Sequence, residues 1–119
     1  MRAMGGYAFC VTVHTYGDVS DSGGLATGGH FVGTCNGCRP AGALQEVGLL
    51  DDGKPLSVTG NAVEYRFLEK VATLRGVNSI IGRSVVIHNN GTNSTAGAGI
   101  RVAQCVIGWD AQPTVAACT

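Results

Sequence analysis

Short apolar stretches separated by glycine-rich loops set the strongest limit on what this chain can fold into. Nineteen of its 119 residues are glycine, valine and threonine are frequent, and helical periodicity is almost absent. β-Branched residues favour strands, whereas glycines interrupt regular elements and form turns. The pattern therefore predicts an all-β domain of short strands joined by tight or irregular loops.

The length and the charge narrow the class of protein further. A chain of this size buries roughly two-thirds of its unfolded surface on folding, so we expect residues 1–119 to form one domain around one hydrophobic core. Eight basic and eight acidic residues give zero formal net charge, and they are scattered without runs. The sequence also lacks an apolar run of about eighteen residues. We therefore expect no nucleic-acid partner and no membrane.

Period-two alternation predicts the first strand over Tyr7–His14, with Phe9, Val11 and Val13 on one face and His14 on the other. Further strands are predicted over 43–50, 56–63, 77–88 and 100–109, with a turn at 51–55 and a bulge or close backbone approach at Gly82. Residues 65–74 are the one stretch with helical spacing of apolar side chains, although β-branched residues within it disfavour a helix.

Cysteine usage bears on the redox environment. Five cysteines are more than a cytosolic β-domain of this size usually carries, and they favour oxidising surroundings. Two N-x-S/T triplets, Asn90-Gly91-Thr92 and Asn93-Ser94-Thr95, point the same way. We therefore expect an extracellular or secretory location, although residues 1–6 lack the features of a signal peptide. Cys35 and Cys38 form a C-x-x-C pair, which also fits a redox or zinc site.

Three histidines are the candidate metal ligands. His14 and His88 lie at predicted strand ends, and His30 lies in the segment 15–39, which is longer than most connections in a compact domain. Neutral imidazole is the commonest protein ligand and suits copper and zinc. The spacing of the three residues forms no local metal motif, so the residues alone do not predict a shared ion.

Four blocks of sequence carry a more specific pattern. Residues 77–88 read VNSIIGRSVVIH, residues 11–18 read VTVHTYGD, residues 28–31 read GGHF, and residues 97–108 read GAGIRVAQCVIG. Taken together in their order along the chain, 11–18, 28–31, 77–88 and 97–108, they resemble the characteristic blocks of the copper/zinc superoxide dismutase family. The resemblance covers about residues 9–108 and implies a Greek-key β-sandwich or barrel that dismutes the superoxide anion to oxygen and hydrogen peroxide.

The resemblance also implies the roles of individual residues. His14, His30 and His88 correspond to copper ligands, and Arg101 corresponds to the guanidinium that attracts the superoxide anion. Thr12 stands where the family has its fourth copper ligand, and a hydroxyl is a poor ligand for redox-active copper. Full activity is therefore not implied.

The zinc site of the family is not matched. Glu46-Val47-Gly48-Leu49 stands where the family has H-V-G-D, so a histidine and an aspartate ligand are both replaced. Only twelve residues separate His88 from Arg101. These features resemble the copper-only branch of the family, in which a glutamate at the position of Glu46 orients the histidine that corresponds to His30. We expect copper and no zinc.

Two further departures concern the fold. The family places about three strands before the first matched strand, where this chain has residues 1–8, so we expect a fold that lacks its N-terminal strands. A second copy or a neighbouring domain would then supply them. The family's disulfide does not transfer directly, and the expected bond joins Cys105 to Cys35 or Cys38.

Three functions follow as hypotheses. The first is a copper-dependent superoxide dismutase. The second is a catalytically degenerate dismutase-like domain that binds copper or a protein partner. The third is a structural module of a repeat protein in which the histidines are relics, since a shared fold does not establish a shared activity.

Overall fold

A computed structural model describes residues 7–58, 64–91 and 100–111 of the chain. Within these ranges the chain forms four strands: β1 (Tyr7–His14), β2 (Leu56–Val58), β3 (Ser84–Gly91) and β4 (Ile100–Val106). They form one antiparallel sheet in the order β2-β1-β3-β4. Two short 3-10 helices span Leu25–Thr27 and Leu50–Gly53. The predicted all-β class is confirmed, and none of the described residues forms a helix that could cross a membrane.

The register of the sheet decides which side chains share a face. His14 of β1 lies opposite Ser84 of β3, and Cys10 lies opposite His88. β3 continues the pairing to β4, where His88 lies opposite Arg101 after a register shift between Ile87 and His88. Alternation along paired strands therefore brings His14 and His88 to the same face of the sheet.

The hydrophobic core lies at the His14 end of β1. Val13, Phe31, Val47 and Leu50 form its buried cluster. Partly buried side chains pack against it from the sheet and from the loops, among them Val11, Val71, Ala72, Ile80, Val85 and Ile107. The loops that follow β1 and precede β3 thus fold back over this end of the sheet.

Several predicted elements differ from the structure. Residues 65–74 form no helix: the Glu69 carboxylate accepts hydrogen bonds from the backbone N–H groups of Val71, Ala72 and Asp51, which fixes an irregular turn instead. The predicted strand over 43–50 is wrong, because a turn and the start of a 3-10 helix occupy that range.

Strand ends also differ from the prediction. The predicted strand over 77–88 begins only at Ser84, after Gly82 adopts a φ of 83°. β2 is described over Leu56–Val58, and the rest of the range predicted there, 59–63, lies outside the described residues. β4 ends at Val106 rather than at position 109.

The expected disulfide to Cys105 is wrong. Cys35 and Cys38 are bonded to each other, with Cα atoms 5.1 Å apart, and Gly37 between them adopts a φ of 77°. That separation suits a disulfide, and the positive φ lets the chain turn back within four residues. Cys105 is an exposed thiol on β4. The C-x-x-C pair is therefore a local disulfide, which closes the loop just before Arg39.

Candidate metal centre

The three histidines singled out in the sequence come together in space. Each offers one ring nitrogen, and these nitrogens all lie within 4.8 Å of one another. His14 Nε2 lies 3.2 Å from His88 Nε2, although 74 positions separate the two residues. Two metal–nitrogen bonds of about 2.0–2.1 Å span at most about 4 Å, so these two nitrogens already lie at a distance that suits a common ion.

Three backbone hydrogen bonds place His14 and His30 side by side. The N–H of Phe31 donates to the carbonyl of Val13, the N–H of Val13 to that of Gly48, and the N–H of Gly48 to that of Phe31, each at 2.8 Å. We call Val13, Phe31 and Gly48 the backbone triangle. His14 follows Val13 and His30 precedes Phe31, so the triangle fixes the two histidines relative to each other.

The triangle needs glycine at position 48. A Cβ atom there would lie 2.4 Å from the carbonyl oxygen of Val13 and 3.0 Å from that of Phe31. Such a short distance to backbone oxygen cannot be relieved by rotating a side chain, so the three segments approach this closely only because residue 48 has none.

In two of the histidines, a hydrogen bond at Nδ1 leaves Nε2 as the nitrogen that can bind a metal. His14 Nδ1 donates to the carbonyl oxygen of Gly28 at 2.7 Å. His30 Nδ1 lies 2.6 Å from Oε1 of Glu46. Since carbonyl and carboxylate oxygens only accept, the Nδ1 proton is held in both rings and the lone pair lies on Nε2. The Glu46 carboxylate therefore lies against the Nδ1 side of the His30 ring.

Burial keeps His14 neutral. The side chain is fully buried, and this desolvation is the main cause that lowers the pKa of His14 to about 4. The hydrogen bond to Gly28 acts in the opposite direction, and electrostatic interactions with His30, Arg101 and His88 lower the pKa further. Neutral imidazole is the form that binds metals, so His14 is ready to act as a ligand at neutral pH.

Thr12 lies inside the histidine cluster. Its Oγ1 is 3.0 Å from His14 Nε2 and 3.4 Å from the carbonyl oxygen of Val86, and the residue is fully buried. Where the family has a fourth ligand, this chain therefore has a hydroxyl that can donate a hydrogen bond to the lone pair of His14 Nε2.

Arg101 stands beside the cluster on β4. Its Nη1 donates to the carbonyl oxygen of Gly24 at 2.6 Å and to Thr27 Oγ1 at 3.1 Å. These two bonds hold the half-buried guanidinium opposite His88 in the sheet and close enough to lower the pKa of His14. A positive charge is therefore fixed next to the histidines.

A buried arginine that sequence reasoning missed supports Glu46. Arg39 donates from Nε to the carbonyl oxygen of Glu46 at 3.1 Å and from Nη2 to that of Val47 at 2.6 Å. Its charge is compensated by Asp52 and Glu69. Arginine in a polar loop is ordinarily exposed, so no signal in the sequence distinguished Arg39 from a surface residue.

The donor set fits copper or zinc. Three imidazoles and a hydroxyl meet in the cluster, whereas calcium and magnesium prefer carboxylate and carbonyl oxygens. In the part of the chain that the structure describes, His14, His30 and His88 are the one group of three or more potential ligands found this close together. Glu46 and Leu49 stand at positions of the family's zinc ligands. The Glu46 carboxylate contacts His30, and Leu49 is fully buried.

Comparison with known proteins places this site in a family. The sequence model of the copper/zinc superoxide dismutases (SODC) matches residues 5–107. Superoxide dismutase (Cu-Zn) of Paramecium bursaria Chlorella virus 1 is 33% identical over 109 residues, which cover 82% of this chain and 56% of that protein. Superoxide dismutase (Cu-Zn) of Schizosaccharomyces pombe is 37% identical over 108 residues, which cover 81% of this chain and 68% of that protein.

The chain thus spans about half to two-thirds of the length of these curated relatives. The family match extends over the sheet, the histidine cluster and Arg101. The fold is the Greek-key β-fold of this family, and copper is the metal that the family implies. The chain belongs to the copper/zinc superoxide dismutase family.

Proposed function

We propose that this chain is a copper-dependent superoxide dismutase domain that converts two superoxide anions and two protons into oxygen and hydrogen peroxide. The observation that carries the proposal is the convergence of three imidazole nitrogens within 4.8 Å of one another. Membership of a family of superoxide dismutases supports it, and so does the guanidinium fixed beside the cluster.

The three histidines hold the copper in this proposal. Bound copper would supply the one-electron redox chemistry that dismutation requires. The protein keeps His14 neutral by burial, and it directs Nε2 of His14 and His30 into the cluster through bonds at Nδ1. These bonds orient the two rings before a metal binds.

Arg101 attracts the substrate in this proposal. Superoxide is a small anion, and a fixed positive charge beside a metal raises its local concentration and its association rate. A small cleft of about 100 Å³ adjoins the guanidinium and is lined by Gly24, Arg101 and Gln104, among others. None of the three histidines lines this cleft, so the part of Arg101 in the proposal rests on its fixed charge beside the cluster.

The site is proposed to work without zinc. Glu46 occupies the Nδ1 side of His30 at 2.6 Å, and it stands where the family's zinc block has a histidine. A carboxylate that accepts the Nδ1 proton fixes the ring and raises the basicity of the ligand nitrogen. Glu46 therefore performs the orienting role that a second metal would otherwise have, which is the arrangement of the copper-only branch.

A second candidate is a dismutase-like domain that binds copper without turnover. Thr12 favours it, because a buried hydroxyl lies 3.0 Å from His14 Nε2 in place of a fourth imidazole. Three nitrogen ligands would then retain copper with altered reactivity.

Further parts of the proposal concern location and partners. Disulfides persist mainly in oxidising compartments, so the Cys35–Cys38 bond supports an extracellular or secretory location.

Ile100, Val102 and Val106 on β4 are between 48% and 73% exposed. We propose that a second copy of the chain covers this strand, since an apolar strand at a sheet edge favours pairing.

The dismutation rate of the copper-loaded, zinc-free protein tests the proposal. We expect activity in the wild-type chain and its loss in His88→Ala, because the variant removes one of three ligands. Copper content is measured on both proteins alongside the rate. Copper bound without dismutation in the wild type would select the second candidate, and a wild-type chain that binds no copper would leave a structural module.

A further inference from the structure

We propose that Arg83 is a positioning residue that holds the three histidine-bearing segments in the geometry copper requires; this inference rests on the proposed function. The guanidinium carbon of Arg83 lies 3.6 Å from the centroid of the Phe31 ring. Its Nη1 donates to the carbonyl oxygen of Thr15 at 3.0 Å, and its Nε donates to that of Ser79 at 3.2 Å.

Two of these contacts, with Phe31 and Thr15, are next to a histidine in the sequence. Thr15 directly follows His14, and Phe31 directly follows His30. Arg83 itself is the residue before β3, the strand that carries His88. One planar group thus touches or belongs to all three segments, although none of its atoms takes part in the histidine cluster.

The backbone around Arg83 makes these contacts rigid. The N–H of Ile107 donates to the carbonyl of Arg83 at 2.9 Å, and the N–H of Gly82 donates to the carbonyl of Ile107 at 2.8 Å. A Cβ atom on Gly17 would lie 2.3 Å from the carbonyl oxygen of Gly82. The chain after β1 and the chain before β3 are therefore packed backbone to backbone where Arg83 bridges them.

Only arginine can make this set of contacts. A guanidinium stacks its face on an aromatic ring while it donates in its own plane to acceptors in different directions. The ammonium of lysine keeps the charge but cannot combine stacking with two such donations. Arg83→Lys therefore changes the geometry of the support and leaves its charge in place.

A positioning role for Arg83 is distinguished from a general stabilising role by comparing the change in copper affinity with the change in the free energy of unfolding. Removing a side chain that orients a metal ligand typically lowers metal affinity 10–100-fold. Loss of apolar packing elsewhere lowers stability without moving the ligands. Val71→Ala is the matched control for stability, since it removes apolar packing from the core cluster and leaves the hydrogen bonds of Arg83 to Thr15 and Ser79 in place.

The experiment measures Cu(II) affinity by competition, the electron paramagnetic resonance spectrum of the copper-loaded protein, and urea unfolding for wild type, Arg83→Lys and Val71→Ala. We expect Arg83→Lys to lower Cu(II) affinity by about tenfold or more and to change the copper hyperfine splitting. Val71→Ala is expected to lower stability at least as much and to leave affinity and spectrum at wild-type values. Arg83→Lys with wild-type affinity and spectrum would overturn the inference, as would affinity losses that follow stability equally in both variants.

A measurement on the metal-free protein keeps this inference distinct from the proposed function. Nuclear Overhauser contacts between the ring protons of His14, His30 and His88 report their mutual geometry without copper. We expect them to weaken in Arg83→Lys and to persist in Val71→Ala. A wild-type chain that fails to bind copper would refute the proposed function, and the imidazole contacts would still decide whether Arg83 positions the rings.

Discussion

At the scale of single residues, burial and hydrogen bonding act on His14 in opposite directions. The Gly28 carbonyl favours a protonated ring, yet desolvation outweighs it and lowers the pKa to about 4. The same burial that makes the residue a good ligand makes it costly to protonate. His14 therefore links the metal centre to the stability of the metal-free fold.

The metal-free protein should lose stability in mild acid through His14. Its folded pKa of about 4 lies below the value of about 6.5 in an unfolded chain, so the unfolded state takes up the proton first. The contribution is fully present above pH 6.5 and is lost as the pH falls toward 4, by up to about 3 kcal/mol.

Urea unfolding between pH 7.5 and 4.8 measures this loss. The pH stays above the pKa of the Glu69 carboxyl group throughout this range. Burial alone would raise the pKa of Glu69, but backbone N–H donors and the Arg39 guanidinium hold it below its ordinary value. His14→Gln is expected to flatten the pH dependence. A variant that loses stability with the same slope as wild type would contradict the assignment to His14.

At the scale of elements, the sequence predicted what depends on local pattern. Alternation located Tyr7–His14 with its observed bounds, and the sequence blocks identified the three histidines and Arg101 because each block forms or adjoins a strand. Residues 43–50 could not be predicted in this way. Their conformation follows from the backbone triangle, whose partners in β1 and the His30 segment are far away in sequence.

The same limit explains the residues that were missed. Arg39 looks like a surface arginine in the sequence, and Arg83 lies in the block 77–88 without an assigned role. The importance of both comes from carbonyl groups that only the folded loops bring near. The disulfide was assigned to Cys105 from the family pattern, whereas Cys35 and Cys38 are joined locally by the turn at Gly37.

The junction of elements at Gly48 gives a second prediction. Gly48→Ala puts a Cβ atom 2.4 Å from the Val13 carbonyl oxygen, so the triangle must open and separate His14 from His30. We expect a loss of about 1–3 kcal/mol in the free energy of unfolding together with weaker copper binding, measured by urea unfolding and by copper titration.

Gly29→Ala is the matched control for that substitution. Gly29 directly precedes His30, but a Cβ atom there meets nothing within 4 Å. We expect near-wild-type stability and copper binding. Equal losses in Gly29→Ala and Gly48→Ala would show that any added methyl group in these loops is harmful and that the triangle has no special role.

At the scale of the whole molecule, the sheet is covered unevenly. The core cluster lies at the His14 end of β1, whereas Ile100 and Val102 on β4 are 73% and 49% exposed. Within the described ranges β4 is paired on one side only, to β3. An apolar strand with one open edge favours association with another chain.

The 119-residue chain is therefore expected to form dimers or larger assemblies as its concentration rises, which analytical ultracentrifugation measures. Ile100→Lys combined with Val102→Lys should shift the equilibrium to monomer, because charged side chains oppose strand pairing. Val77→Lys, at a loop residue that is 76% exposed, should leave association unchanged. A wild-type chain that stays monomeric at all concentrations would refute the proposed pairing.

The 74-residue separation between His14 and His88 also bears on the lifetime of a copper complex. Ligands this far apart meet only after β1 and β3 have paired, so the unfolded chain presents no equivalent set of three nitrogens. An ion held by all of them would be released quickly only when the strands part. Copper loss should then follow the rate of unfolding, and cells would retain the metal through a kinetic barrier as much as through affinity.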